Sequence, residues 1–271
     1  MNKTVIDFLQ KNGIDPQTTN YDQYYIKSDG DINPILNRYC IPGKRIKKNI
    51  SIGNILGYGY DNLDLGRNLV DNLSKFFDAE GSGYEKRSIG MLTMDRDECV
   101  ETLKDVSTRD TVYVRECEDN KYTITTNGMH RYHVLRFHYL NELSKIDNTD
   151  EFQVKKLKEK YTIPVEVEET DYIKTYSYFI LKKYIPELTA KLEYDSNYER
   201  TGNLILTSED NEKVFTDEEL LSALRSIVNN DNTVLEKYAN SLEYYIENIP
   251  SFRKFIDQNN INLFTQEASV Q

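Results

Sequence analysis

A chain of 271 residues has room for one large domain or two small ones, and 38% hydrophobic against 29% charged residues is a globular balance, not that of a membrane span or a low-complexity tract. A net charge of −11 repels a phosphate backbone over most of the surface, which disfavours a general nucleic-acid binder but leaves room for a local cationic pocket. Three cysteines without C-x-x-C spacing (Cys40, Cys99, Cys117) and no apolar run near the roughly 20 residues of a bilayer crossing point to a cytoplasmic protein with reduced thiols and no membrane partner.

Residues 2–12 have the spacing of an amphipathic helix, with Val5, Ile6, Phe8 and Leu9 on one side and Gly13 as its stop. Residues 14–60 are rich in proline and glycine and read as loops. Within them "GKRIKK" is a solvated basic run, and "GNILGYGYDNLDLG" fails both the dinucleotide and the P-loop glycine patterns. Residues 61–79 have mostly helical spacing, and 89–92 form a short apolar run that suits a strand. "MDRDECVETLKDV" follows as a helix, with Thr93 or Asp95 as its cap and acidic residues in its first turn, where the helix dipole favours them.

"TVYVRECE" and "KYTITT" alternate around the turn pair "DN", which predicts a β-hairpin. A helix over about 128–145, a short helix in "EFQVKKLKEKY" and a strand at 162–169 come next. Beyond them the pattern predicts a helix up to Pro186, two short strands in "KLEYDSNYERTGNLILTS", and three helices, the first with a capping box from Thr216 to Glu219. This last region is acidic: from Lys191 onward 7 Lys and Arg face 15 Asp and Glu, a net −8.

All three histidines lie in "TTNGMHRYHVLRFHYLNEL" (125–143). At 100° per residue, His130, Val134, Phe137 and Asn141 share one face and Tyr132, Leu135, Tyr139 and Leu143 another. Apolar side chains therefore cover most of the circumference, as in a helix buried between other elements. Its N-terminus is then the accessible part. There, unpaired backbone N–H groups, the dipole, Gly128 and the side chains of His130 and Arg131 make an anion pocket suited to phosphate. His133 reads as a packed or hydrogen-bonded histidine, and His138 as a partly exposed one. Geometry argues against a three-histidine metal site, because His130 and His138 are separated by about 12 Å of helix rise, and His130 with His133 would supply only two ligands with no sequence-local third.

The order of helix, hairpin ending "YTITTNG", "MHRYHVLRFHYL" and "IPVEV" resembles the ParB/sulfiredoxin superfamily over residues 88–170, with "GMHRY" at 128–132 matching the sulfiredoxin run G-C-H-R-Y at four of five positions. The resemblance implies a small α/β nucleotide-binding domain at 88–170; with the helical and loop extension at 1–87 and the acidic, mainly helical region at 171–271 read from the residue pattern, the expected fold class is α+β. It implies nucleotide phosphates held at Asn127, Gly128, Met129, His130 and Arg131, with Thr93 and Arg96 contributing from the preceding helix. It further implies ATP or CTP with Mg²⁺, and an NTPase or small-molecule phosphotransferase in which Asp95, Asp97, Glu98 and His130 act as catalytic groups, with Glu101 nearby.

Two departures matter. Met129 stands where sulfiredoxin needs its cysteine, which removes sulfinic-acid repair, and His130 breaks the arginine pair of the ParB run. The competing readings are a nucleotide-responsive, partition-type DNA-binding regulator using "GKRIKK", and a non-catalytic interaction protein that keeps the fold.

Overall fold

A computed structural model describes residues 3–15, 24–59, 68–70, 72–73, 92–93, 95–104, 111–125, 128–196, 200–209, 211–230 and 233–263. The fold is mixed α+β, with a helix at the N-terminus and a mostly helical C-terminal region. The chain forms two compact units, one from residues 1–32 with 45–168 and the other from 33–44 with 169–271. The helix expected over 61–79 and the strand expected over 89–92 lie largely outside the described residues, although Leu69, Val70, Leu73 and Leu92 are described and buried.

The first unit is organised on a six-stranded sheet in the order β1-β3-β5-β4-β6-β2. Its strands are β1 (Lys27–Ser28), β2 (Pro42–Ser51), β3 (Ile55–Tyr58), β4 (Val112–Glu118), β5 (Lys121–Ile124) and β6 (Thr162–Thr170). The expected hairpin is β4–β5, antiparallel, with Val114 opposite Ile124 and a bulge between Glu116 and Glu118. Its turn uses Asn120 at φ 57°, a left-handed conformation that Asn tolerates better than most residues. β3 runs parallel to β5, β1 parallel to β3, and β4 parallel to β6.

β2 and β3 correct the reading of 14–60 as loop. The basic run is an edge strand whose Lys44, Arg45, Lys47 and Lys48 are exposed. Pro42 is tolerated as its first residue, and lysines on an outer edge discourage pairing with another sheet. "GNILGY" forms a 3-10 turn (Ile52–Asn54) that leads straight into β3. Two four-residue helices, α2 (Asp29–Ile32) and α3 (Leu36–Tyr39), also fall in that stretch.

α1 (Lys3–Lys11) buries Val5, Phe8 and Leu9, as its periodicity requires. α4 (Arg96–Lys104) begins after Asp95, whose carboxylate accepts a hydrogen bond from the Asp97 amide at 2.9 Å, a capping contact. α5 (Met129–Leu143) is the histidine helix, and α6 (Glu151–Lys160) is capped by Asp150 at the amides of Phe152 and Gln153. Val112, Val114, Ile124, Leu135, Phe137, Ile163 and Val167 are fully or almost fully buried in this unit's core.

The second unit has its own core, centred on α7 (Tyr172–Tyr184). It contains an antiparallel meander of β7 (Thr189–Tyr194), β8 (Arg200–Ser208) and β9 (Asn211–Phe215), one strand more than the two expected. α8 (Asp217–Asn230), α9 (Thr233–Asn248) and α10 (Pro250–Gln258) follow. The capping box before α8 is present: the Thr216 amide donates to Glu219 Oε2 at 2.9 Å, and the Glu219 amide donates to Thr216 Oγ1 at 3.3 Å. Lys174 is buried but bonded to Asp171 at 2.6 Å and Asp217 at 2.5 Å, which compensates its charge.

The β1–β3 edge depends on one glycine. A Cβ on Gly57 would lie 1.7 Å from the Lys27 carbonyl oxygen, a backbone atom that cannot swing aside. Gly57→Ala is expected to lower unfolding free energy by about 3 kcal/mol or more, read from urea denaturation, with loss of the β1–β3 pairing.

Candidate phosphate site at the start of α5

Nine consecutive residues of α5, 131–139, are buried. The helix is buried all round, as its composition requires, so its polar side chains must find partners within the protein. They do so mainly in the segment 52–58. Tyr132 donates its hydroxyl to the Ile55 carbonyl at 3.2 Å, and Arg136 donates to the carbonyls of Ile52 at 2.9 Å and Gly53 at 3.1 Å. The Arg136 guanidinium also lies 5.6 Å from the centre of the Tyr139 ring. Further along, the Asn141 side chain donates to the Asn12 carbonyl at 3.2 Å.

His133 is fully buried and bonded through Nε2 to the Tyr58 hydroxyl, which in turn accepts from Asn72 at 3.3 Å. Burial pushes the Tyr58 phenol far up, so it keeps its proton. His133 is the packed, hydrogen-bonded histidine that the sequence suggests. His138 differs from expectation. It is 2% exposed, edge-on to Phe8 at 5.4 Å and Phe137 at 5.7 Å, with no hydrogen-bond partner for Nδ1 among the described residues. The helix is covered further towards its C-terminus than a half-buried pattern allows, because α1 brings Phe8 against it. Burial, then the nearby Arg96 charge, lowers the His138 pKa to about 4.

The start of α5 is built on Gly128, in the left-handed conformation at φ 87° and ψ 12°. A Cβ there would lie 2.5 Å from Val112 Cγ2 and 3.1 Å from Val112 Cα, so this turn closes onto the first residue of β4 only as glycine. The N-cap position supplies no side-chain hydrogen bond. Helical bonding begins with the Tyr132 amide donating to the Gly128 carbonyl at 2.8 Å. His130 is half-buried in the first turn, and burial lowers its pKa. Arg131 is only 7% exposed, so its side chain runs beneath the surface instead of reaching into solvent. Asn127 and the Met129 side chain lie outside the described residues.

The residues expected to join this turn from α4 are held elsewhere. Arg96 Nε lies 3.2 Å from Glu142, and Lys160 Nζ lies 3.0 Å from both Glu142 and Asp97. The Lys160 ammonium holds the Asp97 carboxyl below its usual range. Tyr161 donates to Glu142 at 2.7 Å. Glu142 is in the last turn of α5, on the order of 18 Å of helix rise beyond His130. Arg96 and Asp97 thus meet each other and the far end of the helix, not the Gly128 turn. Asp95 sits beside them as the α4 cap, and Thr93, Glu98 and Glu101 are exposed. The ion network around Glu142 had no local signal, since its members come from three separate helices.

Comparison with family models, with curated proteins and with solved structures returns no match to this chain. Among the described residues, no group of three or more His, Cys, Asp and Glu is placed to hold a metal ion, and no helix is long and apolar enough to cross a membrane.

The buried His138 couples stability to pH. Its folded pKa of about 4 lies below the unfolded value of 6.5, so the unfolded chain binds the extra proton first. The stabilisation is complete above pH 6.5 and is lost as pH falls towards 4. Across that window, the parent protein should lose on the order of 3 kcal/mol more than a His138→Phe variant, in paired urea melts at several pH values. Parallel pH profiles for the two proteins would contradict this assignment.

Proposed function

We propose that the first unit is a nucleotide-binding domain of ParB/sulfiredoxin type, with phosphate held at the turn 128–131. The observation that carries this reading is a helix N-terminus without a side-chain cap, set on a glycine that Val112 allows no other residue to replace, with a half-buried imidazole in its first turn. Backbone N–H groups and the positive end of the helix dipole favour an anion there, and His130 adds a directed donor. Arg131, largely buried, contributes field and one flank of the turn more than an extended clamp.

ATP or CTP with Mg²⁺ is the proposed ligand, and an NTPase or small-molecule phosphotransferase the proposed activity. Asp95 and Asp97 are poor candidates for its catalytic carboxylate, because capping and the Lys160 pair already engage them. The partition-type DNA reading gains nothing from β2, whose cations are explained by its place at the sheet edge.

Titration calorimetry with each nucleotide and Mg²⁺ tests the proposal. Saturable binding is expected, weakened about tenfold in His130→Ala, the loss of one charge-assisted hydrogen bond, and unchanged in Asp97→Asn. If neither nucleotide nor inorganic phosphate binds, or if His130→Ala binds as the parent does, the reading fails.

A further inference from the structure

A second surface of the first unit has a different chemistry. Between the C-terminal end of α5 and one face of α6 lies an open groove of about 370 Å³, lined by Glu142, Lys145 and Ile146 on one side and by Gln153, Lys156, Leu157 and Lys160 on the other. The lining is mainly apolar, with Ile146 and the edge of the largely buried Leu157 among it, while the rim is cationic. The α6 residues that face it follow the spacing i, i+3, i+4, i+7, so the groove runs along a helix. Next to it, Phe152 leaves 66% of its surface exposed, with the Lys156 ammonium 4.8 Å from its ring centre.

The charge is out of keeping with the rest of the chain. The protein carries −11 overall, yet α6 holds four lysines against two glutamates. Lys160 is committed to Glu142 and Asp97, but Lys145, Lys155 and Lys158 make no ion pair with any described residue. Exposed aromatic surface, an apolar floor and several uncompensated cations together define what would fit: an apolar stripe flanked by carboxylates.

We propose that the α5–α6 groove docks an acidic amphipathic helix from a partner protein, its apolar face on Ile146, Leu157 and Phe152 and its carboxylates opposite Lys145, Lys156 and their neighbours. Helix-in-groove recognition uses the same i, i+3, i+4, i+7 anchors that line this surface. A nucleic acid offers no apolar face to cover Ile146 and Leu157. An anionic bilayer meets Phe152 but, being flat, leaves the groove floor unfilled. Opposite charges at the rim would speed encounter and fix orientation, and the apolar floor would supply the area removed from water.

The test uses the full chain and a fluorescent model helix of about 15 residues, with leucines at helical spacing and glutamates elsewhere. Fluorescence anisotropy should show saturable binding. It should weaken about tenfold or more for a peptide with the same leucines and lysines in place of glutamates, for one with scrambled leucines, and for a Lys145→Glu, Lys156→Glu protein. Both substitutions are on exposed side chains, and circular dichroism and a melting curve check that the variant folds. Equal binding of the scrambled peptide would reduce the surface to a polycation and overturn the proposal. So would undiminished binding to the double variant, or double-variant-sensitive binding of phosphatidylserine vesicles or duplex DNA in place of the peptide.

Discussion

The burial of α5 on all sides is the constraint from which the first unit follows. Nine buried residues in a row include Arg131, His133, Arg136 and His138, and a buried polar group left without a partner costs about 1–3 kcal/mol. The segment 52–58 answers much of this demand. Its backbone carbonyls accept from Tyr132 and Arg136, and the Tyr58 hydroxyl is hydrogen-bonded to His133. The sheet, through β3, and the helix are thus fixed to each other by directed bonds as well as by packing. Arg136 does the most, since its cation rests on two carbonyl dipoles and an aromatic face instead of a carboxylate.

That arrangement gives the helix two ends of opposite character. The start is a glycine turn without a capping side chain, where the proposed phosphate site lies. The end is closed by the Arg96–Glu142–Lys160–Asp97 network, in which each charge already has an opposite. The proposed binding therefore falls at the start, and the ion network locks the end. This also leaves the adjoining groove over α6 with lysines that the network does not use.

The sequence made the periodic elements legible. α1, the β4–β5 hairpin, α5, β6, α7 and the capped α8 each carry a repeat or turn signal strong enough to outweigh local ambiguity. β2 was hidden because its partners give it stability while its own side chains are lysine, arginine and asparagine, polar as a loop is polar. β3 was hidden by its glycines, yet Gly57 is there because the neighbouring backbone leaves no space for a side chain. The placement of Gly128, His130 and Arg131 at a helix start was legible because helix starts have local rules. The placement of Arg96 and Asp97 was not, because it is decided by Glu142 and Lys160, 46 and 64 positions downstream of Arg96. The full burial of His138 likewise depends on Phe8, at the other end of the unit's sequence.

The central claim is that the start of α5 receives phosphate. A crystal structure of the protein soaked with ATP or CTP and Mg²⁺ tests it directly. The account predicts a phosphoryl group within hydrogen-bond distance, about 3 Å, of the amides at 129–131 and of the His130 ring. Nucleotide phosphates bound at any other place, with the Gly128 turn left untouched, would contradict it.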